Sequence, residues 1–127
     1  MARSTPIPSN GELEILRVLW KNGPSTVREV YDALGRDDVG YTTTLKIMQV
    51  MAEKRLVARD ESERSHIYSA AVEEKSIKRR LVSELLDKAF DGSAAQLVLQ
   101  ALSDKKASPE DIRQIRKLLD ENARKSR

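Results

Sequence analysis

The sequence predicts a mainly α-helical chain with one small β-hairpin, organised as a front domain over residues 1–71 and a three-helix domain over 72–127. Three observations carry this expectation. Apolar residues recur at helical spacing in six separate stretches. Two short strand-like runs flank a polar pentapeptide between the third and fourth of those stretches. The composition is 39% apolar and 34% charged with a single Trp and a single Phe, which suits aliphatic helix faces better than an aromatic-rich sheet core. At 127 residues the chain has room for one ordinary domain or two very small ones.

Residues 1–8 read as a loose polar arm, a disordered terminus in preference to one whose Arg3 reaches a phosphate. Ser9 with Glu12 three residues on forms a capping box, so a helix starts there and runs to about Lys21. Its broad apolar face carries Leu13, Leu16, Val18, Leu19 and Trp20, with Trp20 expected as a packing anchor. Asn22, Gly23 and Pro24 end it. Thr26 and Glu29 make a second capping box, with Ser25 just before it. The short helix that follows directs Val27, Val30, Tyr31 and Leu34 inward and stops at Gly35. Arg36 to Gly40 is a polar turn. Hydroxyls and backbone N–H groups at Ser25 and Thr26 suit a phosphate contact as well as a capping role.

Tyr41 to Val57 is one amphipathic helix running into a strand. Thr44, Ile47, Met48 and Met51 recur at helical spacing and face a core, while Thr42, Lys46, Gln49 and Glu53 fall on the opposite side. That outer face is mostly short hydroxyls, an amide and an ammonium, groups that hydrogen-bond base edges and phosphates without blocking approach to a groove. Helix, short helix, turn and longer helix is the order of a helix-turn-helix unit. Leu56–Asp60 and His66–Ala70 then read as two strands joined by Glu61–Ser65, a hairpin wing able to lie along a DNA backbone. The front domain is therefore expected to be a winged helix-turn-helix. Its candidate DNA-binding residues are Thr42, Thr43, Lys46 and Gln49 on the long helix, Tyr41 at its start, Ser25 and Thr26, and Arg59, Arg64 and His66 on the wing. Asp60, Glu61 and Glu63 share the hairpin, so a purely solvated tip is the alternative reading.

Beyond residue 71 the character changes. Glu73 to about Phe90 is a long helix with Ile77, Leu81, Leu85 and Ala89 in line, broken by Asp91, Gly92 and Ser93. A second helix carries Leu97, Val98, Ala101 and Leu102. Ser108, Pro109, Glu110 and Asp111 are a strong helix start, and the last helix carries Ile112, Ile115, Leu118 and Leu119 before a basic tail. Three helices with wide apolar stripes and few aromatics pack poorly as an isolated unit of about 55 residues. Pairing two copies would bury the stripes, which assigns Ile77, Leu81, Leu85, Leu97, Val98, Leu102, Ile112, Ile115 and Leu119 to a homodimer interface. The alternative is a monomeric bundle folded back on the front domain.

The ten basic and ten acidic residues of the front domain cancel, and the net charge of +3 arises entirely after residue 71. Any positive footprint in front must come from placement, or from two copies of one face. There are no cysteines and one histidine. Disulfides, thiolate metal sites and cysteine nucleophiles are excluded, and one histidine is far short of a zinc site. No glycine-rich phosphate loop or catalytic constellation exists, so no enzyme, cofactor or metal is expected. With no membrane-length apolar run and no signal-peptide pattern, the expected location is the cytoplasm.

The succession LEILRVLWKNGPSTVREVYDAL, YTTTLKIMQVMAEKRLV and SHIYSA resembles the penicillinase-repressor family of the BlaI/MecI/CopY type. The likeness continues through Asp91–Gly92 and LVLQAL, so it spans nearly the whole chain. The resemblance implies a winged-helix repressor that binds a palindromic double-stranded DNA operator as a homodimer held by its C-terminal helices. It places Thr42, Thr43, Lys46 and Gln49 toward DNA. It also implies a regulatory protease or sensor, of unknown identity, as a further partner. Three departures stand out. Members often carry a basic residue where this chain has Val50. The cysteine cluster of copper-responsive members is absent, which excludes copper sensing of that kind. The Asn–Phe bond cut in antibiotic-responsive members corresponds here to Gln100–Ala101, which lacks that specificity. A winged-helix protein-interaction module with a basic helical docking tail remains the alternative function.

Overall fold

A computed structural model describes residues 7–126; Arg3 and the terminal Arg127 lie outside the described residues, while Ile7 and Pro8, expected in the loose arm, are half-buried and buried. The elements are α1 (Asn10–Asn22), α2 (Val27–Leu34), α3 (Tyr41–Glu53), β1 (Val57–Asp60), β2 (Ile67–Ala70), α4 (Glu74–Ala89), α5 (Ala94–Asp104) and α6 (Pro109–Lys125). The fold is mainly helical with one two-stranded antiparallel hairpin, as the sequence predicts. The chain separates into two compact units between Val82 and Ser83, inside α4.

In the front unit each helix start is built locally. The Ser9 hydroxyl accepts from the Glu12 N–H at 3.3 Å while the Glu12 carboxylate accepts from the Ser9 N–H at 2.9 Å. Thr26 and Glu29 repeat the arrangement at 3.1 and 2.9 Å. These reciprocal bonds satisfy N–H groups that a helix cannot satisfy itself. Gly35, at φ 60°, closes α2 in the left-handed conformation that glycine adopts without Cβ strain. α3 has no side-chain cap; Gly40 precedes it, and the Thr44 hydroxyl donates back to the Gly40 carbonyl at 3.2 Å.

The inner faces of α1, α2 and α3 meet in one core of Ile15, Leu16, Leu19, Val27, Val30, Met48 and Met51, closed by Leu56, Val57 and Tyr68. Leu56, expected to begin the first strand, precedes it, as His66 precedes the second. Leu56 instead donates its N–H to Met51 at 2.9 Å, across Arg55 at φ 65°, so it seals the end of α3. The hairpin pairs Val57 with Ala70 and Asp60 with Ile67. A further pairing has no counterpart in the sequence reading. Ser25 and Tyr68 exchange backbone hydrogen bonds at 2.9 and 2.8 Å, an isolated bridge that fastens the start of α2 to the wing.

Two long-range polar links complete this unit. The Lys54 ammonium lies 2.9 Å from the Glu12 carboxylate, whose side chain is only 6% exposed. Burial pushes the Glu12 pKa up, but Lys54 and the Ser9 N–H outweigh burial and hold it below the ordinary value. The Trp20 indole donates to the Val72 carbonyl at 3.0 Å, which gives the expected packing anchor a polar role too. Ile77 is 1% exposed within the single chain, so this residue, expected at the dimer interface, has no surface left to offer a partner. Helical periodicity identified its apolar face but not what covers it.

The second unit holds the rest of α4 with α5 and α6. Gly92, at φ 77°, donates to the Leu86 carbonyl at 2.8 Å and ends α4. Ser93 caps α5, and Ser108 with Asp111 forms the capping box of α6 behind Pro109. No residue of α5 or α6 is buried. Leu85, Val98, Leu99, Leu102, Leu118 and Leu119 are all exposed, and Leu97, Ile112 and Ile115 are half-buried. Among the described residues no helix is long and apolar enough to cross a membrane.

Candidate nucleic-acid interface

α3 turns Thr44, Met48 and Met51 into the core, which leaves Thr42, Thr43, Lys46, Gln49 and Glu53 exposed on its other side. The partition follows from the 3.6-residue period, since residues three or four apart share a face. The exposed face divides into two flanks. Thr42, Thr43, Lys46 and Val50 line a depression against Ser9 and Glu12 at the start of α1. Gln49 and Tyr41 line the other flank, a groove shared with the start of α2 and with the wing.

That groove gathers residues far apart in sequence. Thr26 and Arg28 come from α2 and its cap, Tyr41, Leu45 and Gln49 from α3, and Arg59, Arg64, Ser65, His66 and Tyr68 from the hairpin. Among the described residues three arginines and the histidine border it, and no carboxylate does. Low-dielectric walls lined by one sign of charge concentrate potential, here in favour of an anion. Six expected site residues, Thr26, Tyr41, Gln49, Arg59, Arg64 and His66, thus meet in one cleft.

Their availability differs. Arg64 and His66 are exposed and have no hydrogen-bond or ion-pair partner among the described residues. Arg59 is 2.9 Å from the Glu61 carboxylate; the Tyr68 hydroxyl first, and then Glu61, raise its pKa above the ordinary value. Asp60 accepts from the Ser62 N–H at 2.9 Å inside the turn, which lowers its pKa and points its charge into the hairpin tip. At the exposed hairpin tip Asp60 and Glu61 are engaged locally, and Arg59 and Arg64 border the groove. Thr26 spends its N–H on Glu29 and accepts from the Glu29 N–H, so only its hydroxyl proton remains for a ligand.

Ser25 does not belong to this surface. It is 5% exposed, its hydroxyl donates to the Gly23 carbonyl at 2.8 Å, and its backbone N–H is bonded to Tyr68. The phosphate contact expected of Ser25 is replaced by a structural role, because its N–H is spent on the bridge to the wing and its hydroxyl proton on Gly23.

Arg28 was not singled out by the sequence. Its guanidinium lies 4.4 Å from the centre of the Tyr41 ring and 5.5 Å from that of Tyr31, and the two rings meet edge to face at 5.9 Å. Tyr31, expected to point inward, is only half-buried and serves this cluster. The Arg28–Tyr31 spacing of three residues on one helix was a visible signal; the Tyr41 ring comes from another helix and was not. Stacking on aromatic faces orients a guanidinium without neutralising it. Among the described residues no cluster of His, Cys, Asp and Glu could hold a metal ion.

Comparison with known proteins agrees with this architecture. The chain is 33% identical over 93 residues to the transcriptional regulator BlaI of two Mycobacterium tuberculosis strains, covering 70% of this chain and 67% of theirs. It is 23% identical over 121 residues to the penicillinase repressor of Bacillus licheniformis, covering 94% of each. The solution structure of the DNA-binding domain of the repressor BlaI superposes with a TM-score of 0.51 at 21% identity, covering 59% of this chain and 93% of that one. The monomeric form of Bacillus licheniformis BlaI in complex with the blaP half-operator gives 0.50 at the same identity and coverage. The likeness to these two structures establishes the winged-helix fold of the front unit. A family model described as penicillinase repressor matches residues 8–121, and on that match the chain belongs to the penicillinase repressor family.

Proposed function

We propose that the chain represses transcription by occupying a palindromic operator in double-stranded DNA as a homodimer, with α3 of each copy in a major groove. Membership of a family of transcriptional regulators carries the general reading, in place of an enzyme. The observation that carries the mode of binding is the groove of Arg28, Arg59, Arg64 and His66, lined by no carboxylate among the described residues, beside the exposed polar face of α3. The phosphate backbone takes the cations, and the base edges meet α3. Lys46 and Gln49 are assigned to base reading; Thr42 and Thr43 contact the backbone or thymine methyls. Residues 1–71 carry binding in this reading and residues 72–127 carry pairing.

The exposed leucines and valines of α4, α5 and α6 support the pairing. A helical unit with no fully buried residue on α5 or α6 gains the burial it lacks by pairing. Pairing would place two α3 helices on half-sites about 10 bp apart or a multiple of that. Selection of bound fragments from the host genome, followed by gel shifts on a selected and a scrambled duplex over a range of salt, tests the proposal. Tight binding to a two-fold symmetric site that falls steeply with salt is expected, since counterions are released. A flat salt response, or no selected fragment, overturns it. Lys46→Ala should weaken the selected duplex by about 1–3 kcal/mol if Lys46 reads a guanine. An equal loss on the scrambled duplex would restrict Lys46 to phosphate.

A further inference from the structure

The depression on the other flank of α3 contains an apolar side chain where a DNA-reading surface would ordinarily be polar. Val50 is 38% exposed and lines that depression with Thr43, Lys46 and Ile47. Thr43, Lys46 and Val50 stand at i, i+3 and i+7, so they form a single strip along the helix. The strip's chemistry alternates: a hydroxyl and methyl, then an ammonium, then two methyls.

Resting on the DNA-binding reading above, the geometry points to Val50 as a specificity-determining residue that reads the C5-methyl group of thymine. The floor of a major groove offers hydrogen-bond acceptors, amino donors and one apolar group, the thymine methyl. A valine cannot satisfy a donor or an acceptor. Set against guanine, cytosine or adenine edges it strips water from polar atoms and returns nothing. Set against a thymine methyl it buries apolar surface on both sides at no polar cost. Val50 cannot hydrogen-bond phosphate either, so what it contributes at a base edge is sequence information. Lys46, one turn earlier on the strip, supplies the neighbouring charge and fixes register. The expected reading is a thymine adjacent to the base pair that Lys46 contacts.

The test removes the methyl group and nothing else. Wild-type protein selects a duplex from a random-sequence library, and each thymine of that duplex is then replaced singly by deoxyuridine. One replacement in each half-site should weaken wild-type binding about fourfold, the effect of one buried methyl, with neighbouring positions unchanged. The same replacement should leave binding by Val50→Ala unchanged, while Val50→Thr, which keeps one methyl in the same shape, should stay sensitive. Val50 is exposed, so both variants should fold, and circular dichroism of each would verify it. Equal wild-type affinity for every deoxyuridine duplex overturns the assignment. Sensitivity that survives in Val50→Ala overturns it too and moves the methyl contact to Thr43. Failure to select any duplex overturns the DNA-binding reading itself, an outcome distinct from both.

Discussion

Replacing Lys54 tests how the outward face of α3 is held in place. Lys54 caps the C-terminal end of α3, and its ammonium is 2.9 Å from the carboxylate of Glu12 on α1. At such a distance the gross attraction is roughly 4–6 kcal/mol at an effective dielectric constant of about 20. Glu12 is almost fully withdrawn from water, but the Lys54 side chain is 45% exposed, so water recovers much of that attraction when the pair is broken. The net value therefore lies between the roughly 0–1 kcal/mol of surface pairs and the 3–5 kcal/mol lost when one partner of a fully buried pair is removed. Lys54→Met is expected to cost about 1–2 kcal/mol at neutral pH. Glu12→Gln keeps an acceptor for the Ser9 N–H and removes the charge, so the double variant should be less destabilised than the two single costs combined. Urea unfolding of the four proteins gives the coupling, and a value under about 0.3 kcal/mol would refute the argument.

The same pair sets a pH dependence. The Glu12 pKa is lower folded than unfolded, so its contribution is fully present above the unfolded value, about 4.3, and is lost as pH falls through the folded value. Glu12→Gln should lack that acid loss. In Lys54→Met only the Ser9 contacts still oppose the burial of Glu12, so its loss should begin at a higher pH than in wild type. Superimposable acid profiles of wild type and Lys54→Met would rule out Lys54 as the group that holds the carboxylate charged.

Three further outcomes are expected. Arg28→Ala and Arg64→Ala should each weaken binding to selected and scrambled duplexes alike and reduce the salt slope by about 1, as read from gel shifts at several salt concentrations. Leu119→Glu, at a side chain 59% exposed on α6, should weaken self-association at least about a hundredfold, since two leucines each worth roughly 1.5–3 kcal/mol lose their burial; sedimentation velocity would show the monomer. Arg55→Gly should raise the stability of the chain by up to about 1 kcal/mol in urea unfolding, because Arg55 sits at φ 65°, where only glycine is unstrained.

The parts of the fold that are local in origin were legible in the sequence. Capping boxes at Ser9, Thr26 and Ser108 act over three residues, and all three helices begin where those pairs stand. The outer face of α3 was legible because a single period runs through it. What escaped is what one residue does with a distant one. The Ser25–Tyr68 bridge is a single pairing with no periodicity, so nothing near Ser25 announces that its N–H is committed. Arg28 became visible as part of the interface only when α2 brought it over a ring from α3. Ile77 and Leu85 belong to one stripe in sequence, yet Ile77 is 1% and Leu85 46% exposed. Periodicity gives the direction of a side chain and is silent on whether anything lies there.

Net charge misleads for the same reason. The front domain has as many acids as bases, which weighs against an anionic partner if charge is treated as a sum. The acids, however, are largely bound where they stand. Glu12 is taken by Lys54, Glu14 and Asp38 by Arg36, Glu29 by the cap at Thr26, Asp60 by the turn N–H, and Glu61 by Arg59. Glu53 lies in the last turn of α3, outside both depressions along that helix. The cations that face outward beside α3 are held by contacts that leave their charge intact: Arg28 lies over tyrosine rings, and Arg64 is unpaired among the described residues. A domain with no net charge thus presents a groove bordered by cations through placement: pairing cancels both signs alike, and among the described residues the acids stand outside the groove lining. Within a Debye length of about 8–10 Å at physiological salt a phosphate senses that groove, not the total.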